Sequence, residues 1–208
     1  VKPPFDMMNE IGLSQAHKIV EEFCSEHPEF PIPDSLIRAK ALGKWEVSNI
    51  MKTVKDQVSV FTIRRPKVLN ALNLDVIGEL KSAFEEVEND DSIVGSVLTG
   101  FGVKSFVSGA DINMLASLKT PEEAYENARY FQEVLSQIQH LKKPVVCAMN
   151  GFAFGGGNEL AMSCTARICG KGVRVLACQP EVNLGFIPGA GATQRLPRLV
   201  GIDTASEI

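Results

Sequence analysis

Histidine is scarce in this sequence, with three residues in 208, and tryptophan occurs once. Serine triads need a histidine base, and most catalytic metal sites use histidine ligands, so both chemistries are poorly supplied. The three histidines, His17, His27 and His140, all fall in polar stretches of helical character. We therefore expect no metal site in this chain.

Cysteine is present without a regular pattern. The five residues lie mostly in apolar stretches: Cys24, Cys147, Cys164, Cys169 and Cys178. An odd, irregular set does not predict a disulfide framework, and Cys164 and Cys169 lack the nearby Cys-x-x-Cys or histidine partner of a metal site. The pattern predicts reduced, buried thiols, which is typical of a cytoplasmic protein.

Long apolar runs and excess positive charge are also missing. No apolar run approaches the ~20 residues that a membrane-crossing helix needs. The formal net charge is −4, from 21 Lys and Arg against 25 Asp and Glu. Because such a chain has no field that attracts a polyanion, neither nucleic acid nor membrane is an expected partner.

Residues 1–43 are predicted to form a small helical unit. Ser14 can cap a first helix, whose apolar face comprises Ile19, Val20 and Phe23. Prolines at positions 28, 31 and 33 end that helix, and Asp34 can cap a short second helix that ends near Gly43. Two short helices bury little by themselves, so we expect this segment to dock on another part of the protein.

From Trp45 onward the pattern predicts an α/β fold, because strands alternate with helices. Strands are expected around Trp45, Val47 and Ile50 and at 58–63, 93–98, 145–149, 167–169 and 173–178. Helices are expected at 74–89, from Pro121 to about Leu141, and at 158–163. The face of the first of these helices is Leu74, Ile77, Leu80, Phe84 and Val87.

Three loops that follow strands could carry chemistry. In the loop at 105–112, small residues would let a ligand approach the backbone, although an ordinary tight turn capped by Asp111 is the simpler interpretation. The loop at 150–159 has three successive glycines before a helix, which form a nest of amide donors suited to an oxyanion. There Glu159 is either a partner of the helix dipole or an acid/base group. The spacing does not match a nucleotide P-loop.

The third loop holds Glu181, directly after Pro180 in an apolar stretch. Burial or a second carboxylate nearby would raise its pKa towards that of a general acid, whereas a solvated loop glutamate would have no special role. Two glutamates and two groups of amide donors together are what the hydration of a conjugated thioester requires. One carboxylate takes a proton from water, the other gives one to C2, and backbone N–H groups hold the enolate-like oxygen.

The sequence resembles the crotonase (enoyl-CoA hydratase/isomerase) superfamily over about residues 47–208. Four stretches occur in the family's order: RPKVLNALN at 65–73, SGADI at 108–112, KPV at 143–145 continuing to GGGNELA at 155–161, and QPE at 179–181 continuing to TQRL at 193–196. The resemblance implies a spiral of repeated β-β-α units over residues 44–208, preceded by a short helical segment, with the domain truncated at its C-terminus. It also implies a trimer-based homo-oligomer for the full-length protein.

Carried over by position, the resemblance assigns the oxyanion hole to the N–H groups of Ala110 and Gly156. Glu159 would orient and deprotonate water, and Glu181 would protonate C2. Residues implied to bind the acyl-CoA substrate are Asn70, Ala71, Leu72, Asn73, Asp111, Ile112, Asn113 and Gly189. CoA belongs to the substrate, so no separate cofactor is expected.

Several positions depart from the family pattern. Asn113 stands where many relatives carry a lysine, which removes a charged contact to CoA. Cys178 replaces a glycine often seen before the Gln-Pro-Glu stretch, and the segment at 170–175 is longer than usual. These changes could shift Glu181 and reshape the acyl pocket.

Residues 1–43 resemble the last helices of a 3-hydroxyacyl-CoA dehydrogenase C-terminal domain, on the stretch PFDMMNEIGL at 4–13. This resemblance implies a piece of a bifunctional dehydrogenase–hydratase, without the nucleotide-binding part of the dehydrogenase.

The expected activity is reversible hydration of a trans-2-enoyl-CoA to a 3-hydroxyacyl-CoA, in β-oxidation or a related acid-degradation route. The alternatives are double-bond isomerisation, hydrolysis of an alicyclic oxo-acyl-CoA, and a non-catalytic binding module.

Overall fold

The computed structural model describes residues 4–43, 45 and 48–207. The chain divides into two compact units, Val1–Val47 and Ser48–Ile208. The predicted strand residue Val47 lies outside the described residues, as does Lys44, at which the predicted second domain begins.

The described residues of the first unit form three helices: α1 (Pro4–Ile11), α2 (Leu13–Glu26) and α3 (Asp34–Leu42). Its core is formed by Leu13, Leu36 and Ala39. Trp45 belongs to this unit rather than to a strand, since its ring stacks on Phe5 with centroids 4.5 Å apart. The expected strand around Trp45 is therefore wrong at this residue.

The predicted cap of α2 is also wrong, and its predicted face is only partly confirmed, since Val20 packs on the core of this unit. Gly12, with φ 85°, occupies the N-cap position, and Ser14 lies inside the helix. Ile19 and Phe23 are about half exposed. The buried face instead consists of Leu13, Ala16 and His17. That stripe has the same helical spacing, so periodicity alone could not choose between the two faces. His17 is buried, but its Nδ1 lies 3.2 Å from Glu21 Oε2 and 3.3 Å from Lys40 Nζ, so its setting is polar as expected.

The second predicted helix, which is α3 in the structure, ends as expected. Gly43 adopts a left-handed conformation, with φ 73°, directly after Leu42. At the other end Asp34 is the first helical residue and Pro33 takes the cap position. The fixed φ of Pro33 and the carboxylate in the first turn favour a helix start there.

In the second unit, residues 48–207 form eight strands and six helices, which follow in chain order: β1 (Ile50–Lys55), β2 (Val58–Ile63), α4 (Leu74–Asn89), β3 (Gly95–Gly100), β4 (Ser105–Val107), α5 (Ile112–Ser117), α6 (Pro121–His140), β5 (Val145–Met149), β6 (Phe152–Phe154), α7 (Gly156–Ser163), β7 (Ala166–Cys169), β8 (Ala177–Cys178), α8 (Ala192–Val200) and α9 (Ile202–Ala205). Two 3-10 turns, Pro66–Val68 and Pro180–Leu184, complete the unit.

The strands form two sheets in a repeating order. The larger sheet has the order β1-β2-β3-β5-β7 and the smaller has the order β4-β6-β8. Beyond the β1–β2 hairpin, the chain places one strand in each sheet and then forms a helix, so β3-β4, β5-β6 and β7-β8 are equivalent steps. All pairs formed by these later strands are parallel. This arrangement confirms the predicted α/β spiral of β-β-α units.

The main core lies between the larger sheet and the helices α4 and α6. Phe61 and Phe84 are fully buried there and meet edge to face, with ring centroids 5.2 Å apart. The predicted face of α4 is confirmed except at Leu74, which is about half exposed. Val76 is buried in its place. Leu74 is the first residue of the helix, and the buried face begins two residues later at Val76.

The remaining differences concern strand lengths and thiols. Strand β3 begins at Gly95, two residues later than predicted, and β8 is only two residues long. The five cysteines are free thiols. Cys147 and Cys164 are buried as expected, but Cys169 is exposed. It ends β7 at the margin of the larger sheet.

Membrane-spanning helices and clusters of metal-ligating side chains are both absent from the described part of the chain. No helix there is long and apolar enough to cross a membrane. Within the same residues, no group of three His, Cys, Asp or Glu side chains could hold a metal ion.

The start of α7 depends on close contact with β4. A Cβ added at Gly157 would overlap the Val107 carbonyl and lie 2.8 Å from the Val107 Cβ. Only glycine allows α7 to approach the strand this closely. This contact fixes the position of the helix that carries Glu159.

We therefore expect Gly157→Ala to destabilise the protein by about 1–3 kcal/mol, because the added methyl group overpacks this contact. Helix propensity alone would favour alanine at this helical position, so the sign of the change is informative. The measurement is urea unfolding of the full chain. Gly78→Ala, in α4, is the control, since its Cβ would meet only the Tyr130 hydroxyl at 3.5 Å. Unchanged stability of Gly157→Ala would contradict the packing argument.

Candidate active site

A cavity of about 780 Å³ opens between α5, α6, the start of α7 and the loop after β8. Its wall is largely apolar, and both glutamates singled out from the sequence reach it. Glu159 and Glu181 line the cavity, and so do Ala110 and Gly156, whose N–H groups are the expected oxyanion donors. The volume suits a small-molecule ligand with a few placed polar groups.

Glu159 lies in the first turn of α7 and is almost fully buried, with 2% of its surface exposed. Its Oε1 accepts hydrogen bonds from the Ala190 N–H and the Ala192 N–H, both at 2.8 Å. Two backbone donors on one oxygen support a carboxylate, while the cavity side of the group remains available to a ligand.

Glu181 lies in the 3-10 turn that follows β8 and is 5% exposed. The backbone of Gly155 passes directly beside its carboxyl group: a Cβ there would lie 2.8 Å from Glu181 Oε1. Gly155 also has φ 48°, and its N–H donates to the Cys178 carbonyl. Glycine at this position therefore lets Glu181 stand next to the first turn of α7.

Both glutamates hold their protons more strongly than a solvated carboxyl does. Burial raises the pKa of Glu159, and the charge of Glu181 raises it further, against hydrogen bonds from Ala192 and Ala190 that lower it. Burial likewise raises the pKa of Glu181. Gln179 adds to this group, because its amide nitrogen, when turned towards Glu181, lies 3.1 Å from both carboxylate oxygens. Two close carboxyl groups with raised pKa values are typical of acid/base sites.

Two backbone N–H groups face the cavity beside the glutamates. The Leu72 N–H donates to the Gly109 carbonyl at 2.8 Å, and the Asp111 N–H donates to the Leu72 carbonyl at 2.7 Å. Because N–H directions alternate along an extended chain, the N–H of Ala110 points to the other side. Gly156 is the first residue of α7, so its N–H has no partner within the helix. A Cβ at Gly156 would lie 3.5 Å from Ala110 N, so the two donors are neighbours.

An ion pair holds the chain at Ala110. Arg65 Nη1 lies 2.9 Å from Asp111 Oδ2 and also donates to the Ala71 carbonyl at 2.6 Å. The other oxygen of Asp111 accepts from the Asn113 N–H and caps α5. Burial by itself raises the pKa of Asp111, but the hydrogen bonds from Arg65 and Asn113 outweigh it and leave that pKa lowered.

The structure brings most of the predicted substrate-binding residues to the cavity. Those that line it are Ala71, Asp111, Ile112, Asn113 and Gly189. Three others do not line it: Asn70, Leu72 and Asn73. Leu72 is fully buried, and Asn73 uses its side chain to cap α4 by accepting from the Val76 N–H.

Asn70 has a structural role that its sequence position did not reveal. Its amide nitrogen donates to three carbonyls, those of Phe101, Ser105 and Phe106, at 3.0–3.2 Å. Its amide oxygen accepts from the Arg65 N–H. The side chain thereby joins the 3-10 turn at Pro66–Val68 to the ends of β3 and β4, and its polar atoms are engaged there.

The sequence did not predict that residues on two helices support the loop beside Glu159. Arg195, in α8, donates from Nη1 to the Ala190 carbonyl at 2.7 Å and from Nε to Gln139 Oε1 at 2.8 Å. Gln132, in α6, donates to the Gly189 carbonyl at 2.7 Å. The spacing of Gln132 and Gln139 along one face of α6 is a signal, but their partners lie more than fifty residues away.

The comparisons with known proteins agree with this geometry. Residues 53–208 match the family model described as Enoyl-CoA hydratase/isomerase. The chain is 45% identical over 167 residues to the Short-chain-enoyl-CoA hydratase of Clostridium acetobutylicum. This match covers 78% of this chain and 61% of the relative. The chain is 45% identical over 160 residues to the Crotonyl-CoA hydratase of Syntrophomonas wolfei, covering 77% and 60%.

The fold has solved counterparts. The crystal structure of an Enoyl-CoA Hydratase from Bacillus anthracis superposes with a TM-score of 0.71 at 32% identity, over 76% of this chain and 61% of that one. This chain therefore spans about 60% of the length of the relatives that it matches.

The proximity of the two glutamates predicts a coupled titration. Glu181→Gln removes a carboxyl group whose charge raises the pKa of Glu159, so we expect that pKa to fall. The measurement is a ¹³C NMR titration of the glutamate carboxyl carbons, with Glu159→Gln identifying the signal. Glu133→Gln, an exposed change on α6, is the control. An unchanged Glu159 midpoint in Glu181→Gln would contradict the arrangement.

The ion pair at Asp111 predicts a pH-dependent contribution to stability. Its folded-state pKa lies below the ordinary value of 3.8, so the contribution is present above that value and is lost as pH falls through the folded pKa. We expect Asp111→Asn, which can still cap α5, to lower the free energy of unfolding at pH 7 by about 2 kcal/mol. Urea unfolding from pH 7 to 2 should show this difference shrinking below about pH 4.

Asp91→Asn, at an exposed loop position, is the matched control and should leave the stability nearly unchanged. A difference for Asp111→Asn that stays constant across the whole pH range would contradict the ion-pair argument.

Proposed function

The chain belongs to the enoyl-CoA hydratase/isomerase family, and we propose that its site adds water reversibly to a trans-2-enoyl-CoA, giving a 3-hydroxyacyl-CoA. The observation that carries this proposal is the shared cavity. Two buried glutamates line it together with Ala110 and Gly156, two neighbouring residues whose backbone N–H groups are available as donors. The curated relatives named as hydratases support the same reaction.

In the proposed reaction the thioester oxygen lies between the N–H groups of Ala110 and Gly156. Negative charge develops on that oxygen as water adds to C3, and the two donors stabilise it; losing one such donor typically costs ~10²–10³ in rate. The donors are fixed before the substrate arrives, since one belongs to a bridged strand and the other to a helix start. Little reorganisation is therefore needed during the reaction.

The two glutamates take different tasks in this proposal. Glu159, held by two backbone N–H groups, is the base that orients water and takes its proton. Glu181, whose pKa is raised by burial, supplies a proton to C2. In hydration, water gives a proton to Glu159 and Glu181 gives one to C2, and dehydration reverses both transfers. A proton then returns from Glu159 to Glu181 by exchange through solvent, which restores both groups for the next turnover.

The residues of the cavity wall support an acyl-CoA as the substrate. Ala71, Asp111, Ile112 and Asn113 would line the path of the CoA moiety, and Gly189 would lie in the loop beside the catalytic water. Asn113 offers no charge to CoA at the position where many relatives have a lysine. The reaction as proposed uses only protein groups and water, so we propose no separate cofactor.

Features outside the site lead to coarser proposals. On sequence resemblance we propose that residues 1–43 are the end of a 3-hydroxyacyl-CoA dehydrogenase C-terminal domain, and that residues 44–208 belong to a hydratase domain in one bifunctional protein. A trimer-based homo-oligomer, a role in β-oxidation or a related acid-degradation route, and a cytoplasmic location remain part of this proposal. The five free thiols support the location.

The choice of reaction is tested by product analysis with three substrates: crotonyl-CoA, a 3-enoyl-CoA and a cyclic oxo-acyl-CoA. The hydratase proposal predicts 3-hydroxybutyryl-CoA from the first. Turnover of one of the others, with crotonyl-CoA left unhydrated by the full-length protein, would favour the isomerase or hydrolase alternative. Binding of RNA but not of CoA would favour a non-catalytic module.

Replacing either glutamate by the isosteric amide is expected to lower kcat by about 10²–10⁴, because each substitution removes one proton transfer. Binding of acyl-CoA should be retained, since shape and volume are preserved. Steady-state kinetics with crotonyl-CoA and calorimetric titration with a saturated acyl-CoA separate the two effects. Glu126→Gln, at an exposed position of α6, is the control. Near-normal kcat in Glu159→Gln or Glu181→Gln would remove that residue from the mechanism.

A further inference from the structure

The loop that supports Glu159 is itself held from outside by the face of α6. Gln132 Nε2 donates to the Gly189 carbonyl at 2.7 Å. Gly189 and Ala190 share one peptide unit, in which the carbonyl and the N–H point in opposite directions because the bond is planar and trans. Fixing the Gly189 carbonyl on the α6 side therefore aims the Ala190 N–H at the opposite side, where it donates to Glu159 Oε1.

The amide of Gln132 is oriented in turn by a cation. Arg129 Nη1 donates to Gln132 Oε1 at 3.2 Å, which leaves the amide nitrogen facing Gly189. The hydrogen bonds thus run in one direction: from the Arg129 guanidinium to the Gln132 amide, then to the Gly189–Ala190 peptide, and finally to the Glu159 carboxylate. Aligned hydrogen bonds of this kind polarise one another, and the chain begins on a cation and ends on an anion.

The neighbouring peptides are fixed in other ways. The Ala190 carbonyl accepts from Arg195 Nη1, and the Gly191 carbonyl accepts from the N–H groups of Gln194 and Arg195 at the start of α8. The Ala192 N–H, which shares a peptide with the Gly191 carbonyl, is therefore set by α8. The Ala190 N–H depends instead on Gln132, because Gln132 holds the carbonyl of the same peptide.

We propose that Gln132 is a positioning residue for Glu159, acting through the Gly189–Ala190 peptide to hold the Ala190 N–H against the carboxylate. This inference rests on the proposed function for its kinetic consequence only. The hydrogen bond that it describes can be tested on the carboxyl group itself.

The charged surroundings of Glu159 determine the sign of the expected effect. Glu181 from the 3-10 turn raises the pKa of Glu159, and Arg195 from α8 lowers it. Helix α6 contributes Arg129 through Gln132, and the strands β4 and β6, which pack on α7, contain no titratable side chain. Loss of the Gln132 hydrogen bond weakens a donor to the charged form, so the pKa of Glu159 should rise.

The test substitutes Gln132→Met, which keeps the length of the side chain but removes its donor. Gln137→Met is the matched control: it makes the same change on the same helix, at another half-buried glutamine about 140° around the axis. We expect kcat for crotonyl-CoA to fall about tenfold in Gln132→Met with KM within about twofold of wild type. The acidic limb of the kcat–pH profile should move up by about half a pH unit.

A ¹³C titration of the Glu159 carboxyl provides the second readout, and its midpoint should rise by about the same half unit in Gln132→Met and stay unchanged in Gln137→Met. A midpoint that does not move in Gln132→Met overturns the inference, as does a lower kcat with an unmoved acidic limb, since that pattern indicates only a general structural role. If the wild-type protein leaves crotonyl-CoA unhydrated, the proposed function fails, while the carboxyl titration still decides for or against Gln132.

Discussion

The site depends on keeping an almost fully buried carboxylate at the wall of a largely apolar cavity. Moving such a group out of water costs several kcal/mol, and Glu159 offsets part of that cost with two backbone hydrogen bonds on one oxygen. The part of the desolvation cost that these hydrogen bonds do not offset raises the pKa of Glu159. This places the group between a fully stabilised anion and a neutral acid, which is the condition that a general base near neutral pH requires. The cavity, the loop at 189–192 and α6 all influence the pKa of Glu159.

Close backbone approach is the second constraint, and it explains why glycines occur where they do. Gly157 brings α7 against β4, while Gly155 lets the carboxyl of Glu181 stand beside the first turn of that helix. A side chain at either position would separate the two glutamates or turn the N–H of Gly156 away from Ala110. The distances that the chemistry needs are therefore fixed by backbone packing more than by side-chain choice.

The α/β class could be predicted from local patterns, whereas the spiral and the roles of the two glutamates came from the family resemblance. Strands such as β2 and β5 are short apolar runs with clear ends, and α4 has a strong helical period and an Asn73 cap. The faces of α2 could not be chosen, since two stripes had the same spacing and burial is decided by the partner. Asn70, Ala71, Leu72 and Asn73 were expected at the substrate because they belong to one motif, yet of these four only Ala71 lines the cavity. Gln132 and Arg195 escaped prediction because their partners are distant in sequence, and no local pattern marks such contacts.

The central claim is that the two glutamates and the two N–H groups act together on water and one conjugated thioester. Incubation of crotonyl-CoA with the full-length protein in H₂¹⁸O, and separately in D₂O, tests it most directly by mass spectrometry and NMR of the product. The account predicts one ¹⁸O at the C3 hydroxyl and one deuterium, in a single configuration, at C2. Isotope found instead in a released acid, or deuterium in a product with a displaced double bond and no ¹⁸O, would contradict it.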